Sequence, residues 1–541
     1  MTPARAMFLF SIHTIGCKLN QLESEALADA FRGEGFPVVP WEGTEGRNSA
    51  GVPPDLADPG ALEGPAEQAR LLVVNTCTVT SMAEQKARRL IRGALRKGAW
   101  VLVTGCYAQL NRAELEALGE ASGRLFVIPG DKKSALLDLP RFLRSRPESP
   151  GGNSPALIRD WFPGTGDDPK GPFRFVPENF SSHSRAFLKI QDGCGRRCSY
   201  CRVRLARGES LSLPPEEVLR RLRTLEARGC AEAVLTGVNI CQYKSAKNPP
   251  SPGLGALLRL LLEGTEWIRL RLSSLEPEDI DGELLESLKS GRLRPHFHLS
   301  IQSGSGRVLR RMGRNYEPEQ AAWAVSRLRE LKGDPFLACD IITGFPGEEE
   351  GDFLETLEFC ERMDFAWIHS FPYSPRPGTA AWAFSGQVPQ REAAARSARL
   401  LNLARQGRRN YVRRWAGKEL ELVLEGGGPG GKMPAEEAFS PVKEGPNQSL
   451  NPNRDGSWGG TSENYLKLLV PPAWLPPGLG PGSILRCRVR ELAGPRIPGL
   501  FHGGEFDGLG DPRRQDSPDQ SRVNPNGVTH GIDGGKLFPA Y

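Results

Sequence analysis

The sequence predicts an α/β protein in three parts. These are an N-terminal parallel α/β domain over residues 7–145, a central partial (β/α)6 barrel over 180–415, and a small C-terminal antiparallel β-barrel over 416–492. Three observations predict it. Apolar runs of strand length alternate with helical segments through the first two parts, the pattern of parallel βαβ units. Cysteine, glycine and polar residues gather just after those runs, where strands would end. Towards the end, short alternating segments between Gly/Pro/Asn-rich stretches replace the α/β pattern, as in small β-barrels.

A chain of 541 residues has length for roughly two to four domains. Its net charge of +6 is too mild to announce a nucleic-acid partner by itself. The 62 Gly and 46 Pro fall in a few segments read as loops and tails. Eleven cysteines, an odd count, lie in short separated motifs. That favours metal ligation in a reducing compartment, the cytoplasm, over a disulfide framework. No apolar run is long enough to span a membrane, so no membrane contact is expected. The opening segment, Met1 to Ile12, lacks a cleavage site and reads as a strand rather than a signal peptide.

In the first part, strands are expected over Met7–His13, Arg70–Asn75, Trp100–Thr104 and Arg124–Ile128, with helices over Gln21–Arg32 and Ser81–Lys97. Cys17, Cys77 and Cys106 each follow the carboxyl end of a strand. Those ends line one crevice in an open α/β sheet, so three distant cysteines can meet there as a metal-cluster site. Independent buried thiols are the plainer alternative. Pro37–Glu67 reads as an insertion loop, and residues 146–179 as the linker into the second domain.

In the centre, strands are expected at Ala186–Ile190, Ala231–Thr236, Ile268–Ser273, His296–Gln302, Pro335–Thr343 and Phe365–Phe371. Helices are expected between them, including Pro214–Arg228 and Glu349–Met363. After the first strand comes Cys194-x3-Cys198-x2-Cys201. Three thiolates from one loop, with no fourth nearby, suit a four-iron cluster with one iron left open. Structural zinc is the alternative, but it favours paired Cys-x2-Cys units or added His, and no His is near. Turns rich in polar residues and glycine follow the other strands, placing Gly237, Glu276 and Gln302 on the rim where β/α barrels bind cofactors. Arg207 either contacts a cofactor or anion there or is solvated.

Arg391–Arg414 is an arginine-rich helical stretch opposed only by Glu392: either a solvated face or a polyanion contact, with Arg408, Arg409, Arg413 and Arg414 as its strongest candidates. Strands at Glu419–Leu424, Tyr465–Val470 and Ser483–Glu491 make the terminal barrel, of a kind that binds RNA or protein. Residues 493–541 read as a disordered tail. Cys230, Cys339, Cys360 and Cys487 lie in no motif and are assigned to packing.

Together these stretches resemble the methylthiotransferase family of radical S-adenosylmethionine enzymes over roughly residues 7–145, 180–415 and 416–492. The resemblance implies a radical S-adenosylmethionine barrel in the centre and a TRAM-like barrel at the end. It implies an auxiliary 4Fe-4S cluster on Cys17, Cys77 and Cys106, and a cofactor-cleaving 4Fe-4S cluster on Cys194, Cys198 and Cys201. Gly16-Cys-Lys-Leu-Asn-Gln-Leu-Glu-Ser24, Asn75-Thr-Cys-Thr-Val-Thr80 and Gly105-Cys-Tyr-Ala-Gln109 are most similar to the branch acting on N6-threonylcarbamoyladenosine in tRNA. Arg204 replaces a usual Pro, and Cys241 stands where Gly is common.

The implied reaction begins with one electron passed to S-adenosylmethionine. The resulting 5′-deoxyadenosyl radical abstracts hydrogen from C2 of the adenine, and a methylated sulfur is delivered there from the auxiliary cluster. The implied partners are a tRNA anticodon loop, whose base unstacks cheaply, and an unidentified electron donor. Rival readings are the same chemistry on isopentenyladenosine tRNA or on a ribosomal-protein side chain, and a non-catalytic iron–sulfur RNA-binding protein.

Overall fold

The computed structural model describes residues 8–41, 70–145, 155–161, 171–177, 185–244, 252–427, 458–470, 475, 479–490 and 501–504. The first part is a four-stranded sheet of β1 (Leu9–Thr14), β2 (Arg70–Thr76), β3 (Trp100–Gly105) and β4 (Leu125–Val127), in sequence order and wholly parallel. Near-continuous apolar runs make these strands, as burial on both faces requires. One face is covered by α1 (Lys18–Gly33), whose Leu22, Leu27 and Phe31 pack on Phe10, Leu71 and Leu102. The other is covered by α2 (Ser81–Arg96), α3 (Cys106–Leu110) and α4 (Arg112–Ala117) through Ala87, Ile91, Tyr107 and Leu115. The insertion expected over Pro37–Glu67 lies outside the described residues beyond Trp41.

The stretch expected to be a free linker is partly built into the fold. Short 3-10 turns at Pro155–Asp160 and Gly171–Phe173 follow α5 (Leu139–Ser145). Ile158 and Phe175 are buried in the N-terminal core together with Phe187 and Val234 of the central part. Apolar residues among the glycines and prolines make the segment a mortar between domains.

The centre has six parallel strands at all six expected places: β5 (Ala186–Lys189), β8 (Glu232–Thr236), β9 (Arg269–Leu272), β10 (His296–Gln302), β11 (Phe336–Thr343) and β12 (Trp367–Pro372). They form two three-stranded sheets, linked by isolated parallel bridges at Leu270–Leu293 and Leu275–Leu299. Between β5 and β8, the two-residue strands β6 (Gln191–Asp192) and β7 (Leu211–Ser212) pair antiparallel. They pin the loop carrying the three close cysteines and α6 (Val203–Arg207). Leu188, Leu235, Leu270, Leu299, Ile341 and Ile368 point to the helical layer, which runs from α7 (Pro215–Ala227) through α8 (Leu254–Glu263), α9 (Gly282–Leu288), α10 (Gly306–Met312) and α11 (Pro318–Lys332) to α12 (Glu350–Met363). Period-2 alternation sends their strand neighbours, Lys189, Arg271, His298, Asp340 and His369, to the opposite face, where α1 meets β5 at Lys189.

The long helix α13 (Gln390–Trp415) returns along β12, and Gly407 sits where a Cβ would lie 2.2 Å from the carbonyl oxygen of Phe365. Its arginines are not one free basic face. Arg396 is buried against Glu348 and Glu392, Arg408 stacks over Phe336, and Arg414 pairs with Asp334 and Asp364. Desolvation lowers the Arg408 guanidinium to about 10. Of the four arginines put forward for a polyanion, Arg409 and Arg413 are exposed.

The last part is a closed five-stranded barrel of β13 (Glu419–Gly427), β14 (Trp458–Ser462), β15 (Lys467–Val470), β16 (Ile484–Arg490) and β17 (Phe501–Gly504). It corrects the sequence reading in three ways. Strand β14, Trp458–Ser462, lies where no strand was expected, residues Phe501–Gly504 of the expected tail are the fifth strand, and the β15–β17 pair is parallel where an all-antiparallel barrel was expected. The rest of the tail lies outside the described residues. This barrel docks on the amino-terminal ends of the central strands. Tyr465 lies 4.0 Å from the His296 ring and 5.4 Å from Phe336, with the Arg271 guanidinium 5.3 Å over it. Beneath it Glu232, fully buried, binds Arg271 at 2.6 Å and Arg294 at 2.8 Å, and Arg294 also reaches Glu421 of β13 at 2.6 Å. Among the described residues no helix is long and apolar enough to cross a membrane.

Candidate functional site

Cys17 caps the start of α1, Cys77 follows β2 and Cys106 begins α3. The loops that carry them are laced together. Asn20 donates to the carbonyls of Ile15 and Thr76, each at 3.0 Å, and Asn75 donates to the Asn20 carbonyl at 2.9 Å. Glycine makes the approach possible at two points. A Cβ on Gly16, at φ +133°, would lie 2.7 Å from Cβ of Cys77, and one on Gly105, at φ +99°, 2.3 Å from the Thr76 carbonyl oxygen. The three thiols are thereby close enough to feel one another. Burial pushes Cys77 up to about 12, and the neighbouring Cys17 and Cys106 raise it further, while the Val79 N–H and Arg207 oppose.

The second set comes from one loop. Cys194 N–H donates to the Gly208 carbonyl, Ser199 N–H to that of Met312, and Ala381 N–H to that of Ser199. Cys201 is likewise pushed up to about 12 by burial, then by Cys198 and Cys194 against the Val203 N–H. Among the described residues all eleven cysteines are free thiols. Both sets therefore offer soft donors from three directions, and a charged metal cluster would relieve the cost of ionising crowded, buried thiols. No three such donors converge on one point among the described residues, as a single zinc ion would need. An iron–sulfur cluster, whose several irons each take their own thiolate, does not require such convergence.

The two sets face each other across the boundary between the first and central parts, held by arginine clamps on either side. Arg202, next after Cys201, reaches the Thr78 hydroxyl at 3.2 Å and the Glu84 carboxylate at 3.3 Å. Arg376 joins the same two groups. On the other side Arg207 reaches Asn20 at 3.0 Å and both Glu23 and Asp192 at 3.1 Å. Lys133 and Lys189 complete that cluster on Glu23. Glu23 is fully buried, yet these cations, Arg207 foremost, hold its carboxyl well below the usual range against desolvation. Arg207 is thus neither solvated nor a free anion contact; it is a strut between domains.

Of the rim residues expected from sequence, Glu276 falls close to the second cysteine set. Glu276 is buried in an ion pair with Arg314, whose other nitrogen donates to the Tyr200 hydroxyl at 2.9 Å. Burial raises the Glu276 carboxyl despite Arg314. Gln302 ends β10 at φ +67° and is 8% exposed. Gly237 follows β8, and a Cβ there would lie 2.7 Å from the Gln191 side-chain oxygen. Cys241 accepts the Glu276 N–H at 3.3 Å, so it belongs to this neighbourhood. Cys339, Cys360 and Cys487 are buried in cores as expected, and Cys230 is partly buried. Arg202, Arg376, Glu84 and Glu23 gave no sequence signal, because single charged residues inside helices and loops look solvated until folding pairs them.

Two family models match the chain: Radical SAM superfamily over residues 188–360, and Uncharacterized protein family UPF0004 over residues 59–125. The chain is 41% identical over 471 residues to the threonylcarbamoyladenosine tRNA methylthiotransferase MtaB of Treponema pallidum, covering 77% of this chain and 91% of that protein. It is 34% identical over 418 residues to the MtaB of Thermotoga maritima, covering 76% and 86%. It is 31% identical over 421 residues to a tRNA-2-methylthio-N(6)-dimethylallyladenosine synthase of Anaplasma marginale, covering 77% and 84%. The two expected cysteine sets, the two family models and these long alignments agree, and the chain belongs to the MtaB-like radical S-adenosylmethionine methylthiotransferases.

Proposed function

We propose that this chain methylthiolates C2 of N6-threonylcarbamoyladenosine beside the tRNA anticodon, giving 2-methylthio-N6-threonylcarbamoyladenosine. The observation that carries the proposal is the pairing of two three-cysteine sets across one boundary, clamped by Arg202 and Arg207. In this reading Cys194, Cys198 and Cys201 hold the 4Fe-4S cluster that binds S-adenosylmethionine, and Cys17, Cys77 and Cys106 hold an auxiliary 4Fe-4S cluster. When bound, the clusters and cofactor supply radical chemistry and sulfur, which no side chain of this protein can provide.

The protein's own work is placement. Arg202, Arg376 and Glu84 on one side, and Arg207, Glu23 and Asp192 on the other, fix the distance between the two cysteine loops. The buried Glu276–Arg314 pair, with Gly237 and Gln302 at the ends of their own strands, shapes the cofactor's berth. We take residues 7–145 as the auxiliary-cluster domain, 180–415 as a partial radical S-adenosylmethionine barrel and the terminal closed barrel as TRAM-like, gripping RNA together with Arg409 and Arg413. The anticodon loop, a cytoplasmic setting and an external electron donor belong to the same proposal.

The test is an anaerobic incubation of reconstituted protein with S-adenosylmethionine, a reductant and threonylcarbamoylated tRNA, followed by mass analysis of the nucleosides. A methylthio gain on threonylcarbamoyladenosine, lost in Cys198→Ala, is the expected result. 5′-Deoxyadenosine without that gain moves the substrate elsewhere, and neither product from cluster-loaded protein favours a binding protein.

A further inference from the structure

Helix α2 begins just after Cys77 and leads away from it. Its start is fixed against the central part. The Ser81 N–H and hydroxyl lie 3.4 and 3.3 Å from the Ser374 hydroxyl, and Glu84 is buried under Arg202 and Arg376. Ala87, Ile91 and Ala94 face inward and pack on the sheet. The helical period puts Met82, Lys86, Arg89, Arg92 and Arg96 on the opposite stripe, and all five are exposed.

Among the described residues no carboxylate pairs with the four cations of that stripe. The acids of the adjoining α4 are already engaged, Glu114 by Arg88 at 2.9 Å and Glu116 by Arg112 at 2.7 Å. Exposed arginines elsewhere stand beside an acid, as Arg220 does with Glu217 and Arg310 with Glu317. The α13 row is likewise largely paired or buried. The outer face of α2 is different: a row of like charges three and four residues apart, which weakens a helix unless an anion lies along it. Lys86 to Arg96 spans about 15 Å of helix axis, long enough for each cation to meet its own phosphate along a duplex strand. The end nearest the cysteines is apolar instead, with Val79 60% and Met82 64% exposed. A nucleic-acid hairpin has the matching order, with unstacked bases in its loop and a line of phosphates along its stem.

We propose that the outer face of α2 grips the phosphate backbone of the anticodon stem through Lys86, Arg89, Arg92 and Arg96, with Val79 and Met82 under the loop. This rests on tRNA being the substrate. It gives the RNA a hold on the domain that carries Cys17, Cys77 and Cys106, separate from the terminal barrel and from Arg409 and Arg413. The RNA is then positioned from the side of the first cysteine set.

The test measures binding of threonylcarbamoylated tRNA to the full chain with both clusters loaded, over a salt series. Wild type is compared with Lys86→Gln/Arg89→Gln/Arg92→Gln/Arg96→Gln, since glutamine keeps helix propensity and removes charge. The slope of log affinity against log salt is expected to fall by about three in the variant, and affinity near physiological salt by about tenfold or more. Iron content and the thermal melt should match wild type. Arg89→Lys/Arg92→Lys/Arg96→Lys should keep the wild-type slope, because a point charge suffices for phosphate. A glutamine variant with the wild-type slope overturns the surface. The wild-type slope together with a lowered melt assigns the face to an acidic partner within the chain, which also overturns it. A wild type whose tRNA binding does not vary with salt overturns the RNA reading, and the surface with it.

Discussion

The Arg202 guanidinium lies 3.2 Å from the Thr78 hydroxyl, joining residues 124 positions apart that directly follow Cys201 and Cys77. One hydrogen bond therefore spans the two cysteine sets one residue from a cysteine on each side. Glu84 takes Arg202 and Arg376 together, and Arg376 helps to depress Arg202 after burial itself. Glu84→Gln would leave two guanidiniums facing each other, a loss of about 3–5 kcal/mol for a broken buried pair. The expected signature is uncoupling: 5′-deoxyadenosine continues to form, while methylthiolated nucleoside per 5′-deoxyadenosine falls. Parallel quantification of both products checks it.

Gly16→Ala should disable one cysteine set and spare the other. The added methyl would meet Cβ of Cys77 at 2.7 Å at a backbone φ of +133°, so Cys17 and Cys77 must move apart. Iron and sulfide analysis after reconstitution should give roughly half the wild-type content, with reductive cleavage of S-adenosylmethionine retained. Full iron content would place the auxiliary cluster elsewhere.

Acid should loosen the terminal barrel through Glu232. Its carboxyl is lowered from 4.5 to about 2, with Arg271 and Arg294 overcoming the burial penalty, so it stabilises the fold above pH 4.5 and that contribution fades as pH falls towards 2; the linkage amounts to about 3 kcal/mol. Denaturant unfolding of wild type and Glu232→Gln across that window should show the difference between them shrinking as pH drops. A difference constant with pH would contradict the assignment.

The arginines of α13 should separate by role. Arg409→Ala with Arg413→Ala is expected to flatten the salt dependence of tRNA binding by about two charges with stability unchanged. Arg414→Ala should instead cost up to about 1 kcal/mol through its partly exposed pairs with Asp334 and Asp364. Filter binding over a salt series and thermal melts distinguish the two.

Strand positions were legible because apolar runs buried on both faces announce themselves, and the cysteines because each sits just past such a run. The clamps were not legible. Lys133 and Arg207 reach Glu23 from 110 and 184 residues away, and nothing local distinguishes them from solvated charges. Arg408 misled for the converse reason: its charge is visible in sequence, while the Phe336 ring that covers it comes from β11, 72 residues earlier in the chain. The fifth strand of the terminal barrel, Phe501–Gly504, is four residues in a glycine-rich stretch, too short for alternation to register. His298, Asp340 and His369 appear singly, one per strand, and become a group only when the strands align.

Tyr465 and the ion pairs beneath it stopper the floor of the central strands. Among the described residues that end of the strands is closed, so the terminal barrel is a lid on the floor of the centre as well as an appendage, and unfastening it would bare the charged residues that now lie dry beneath it.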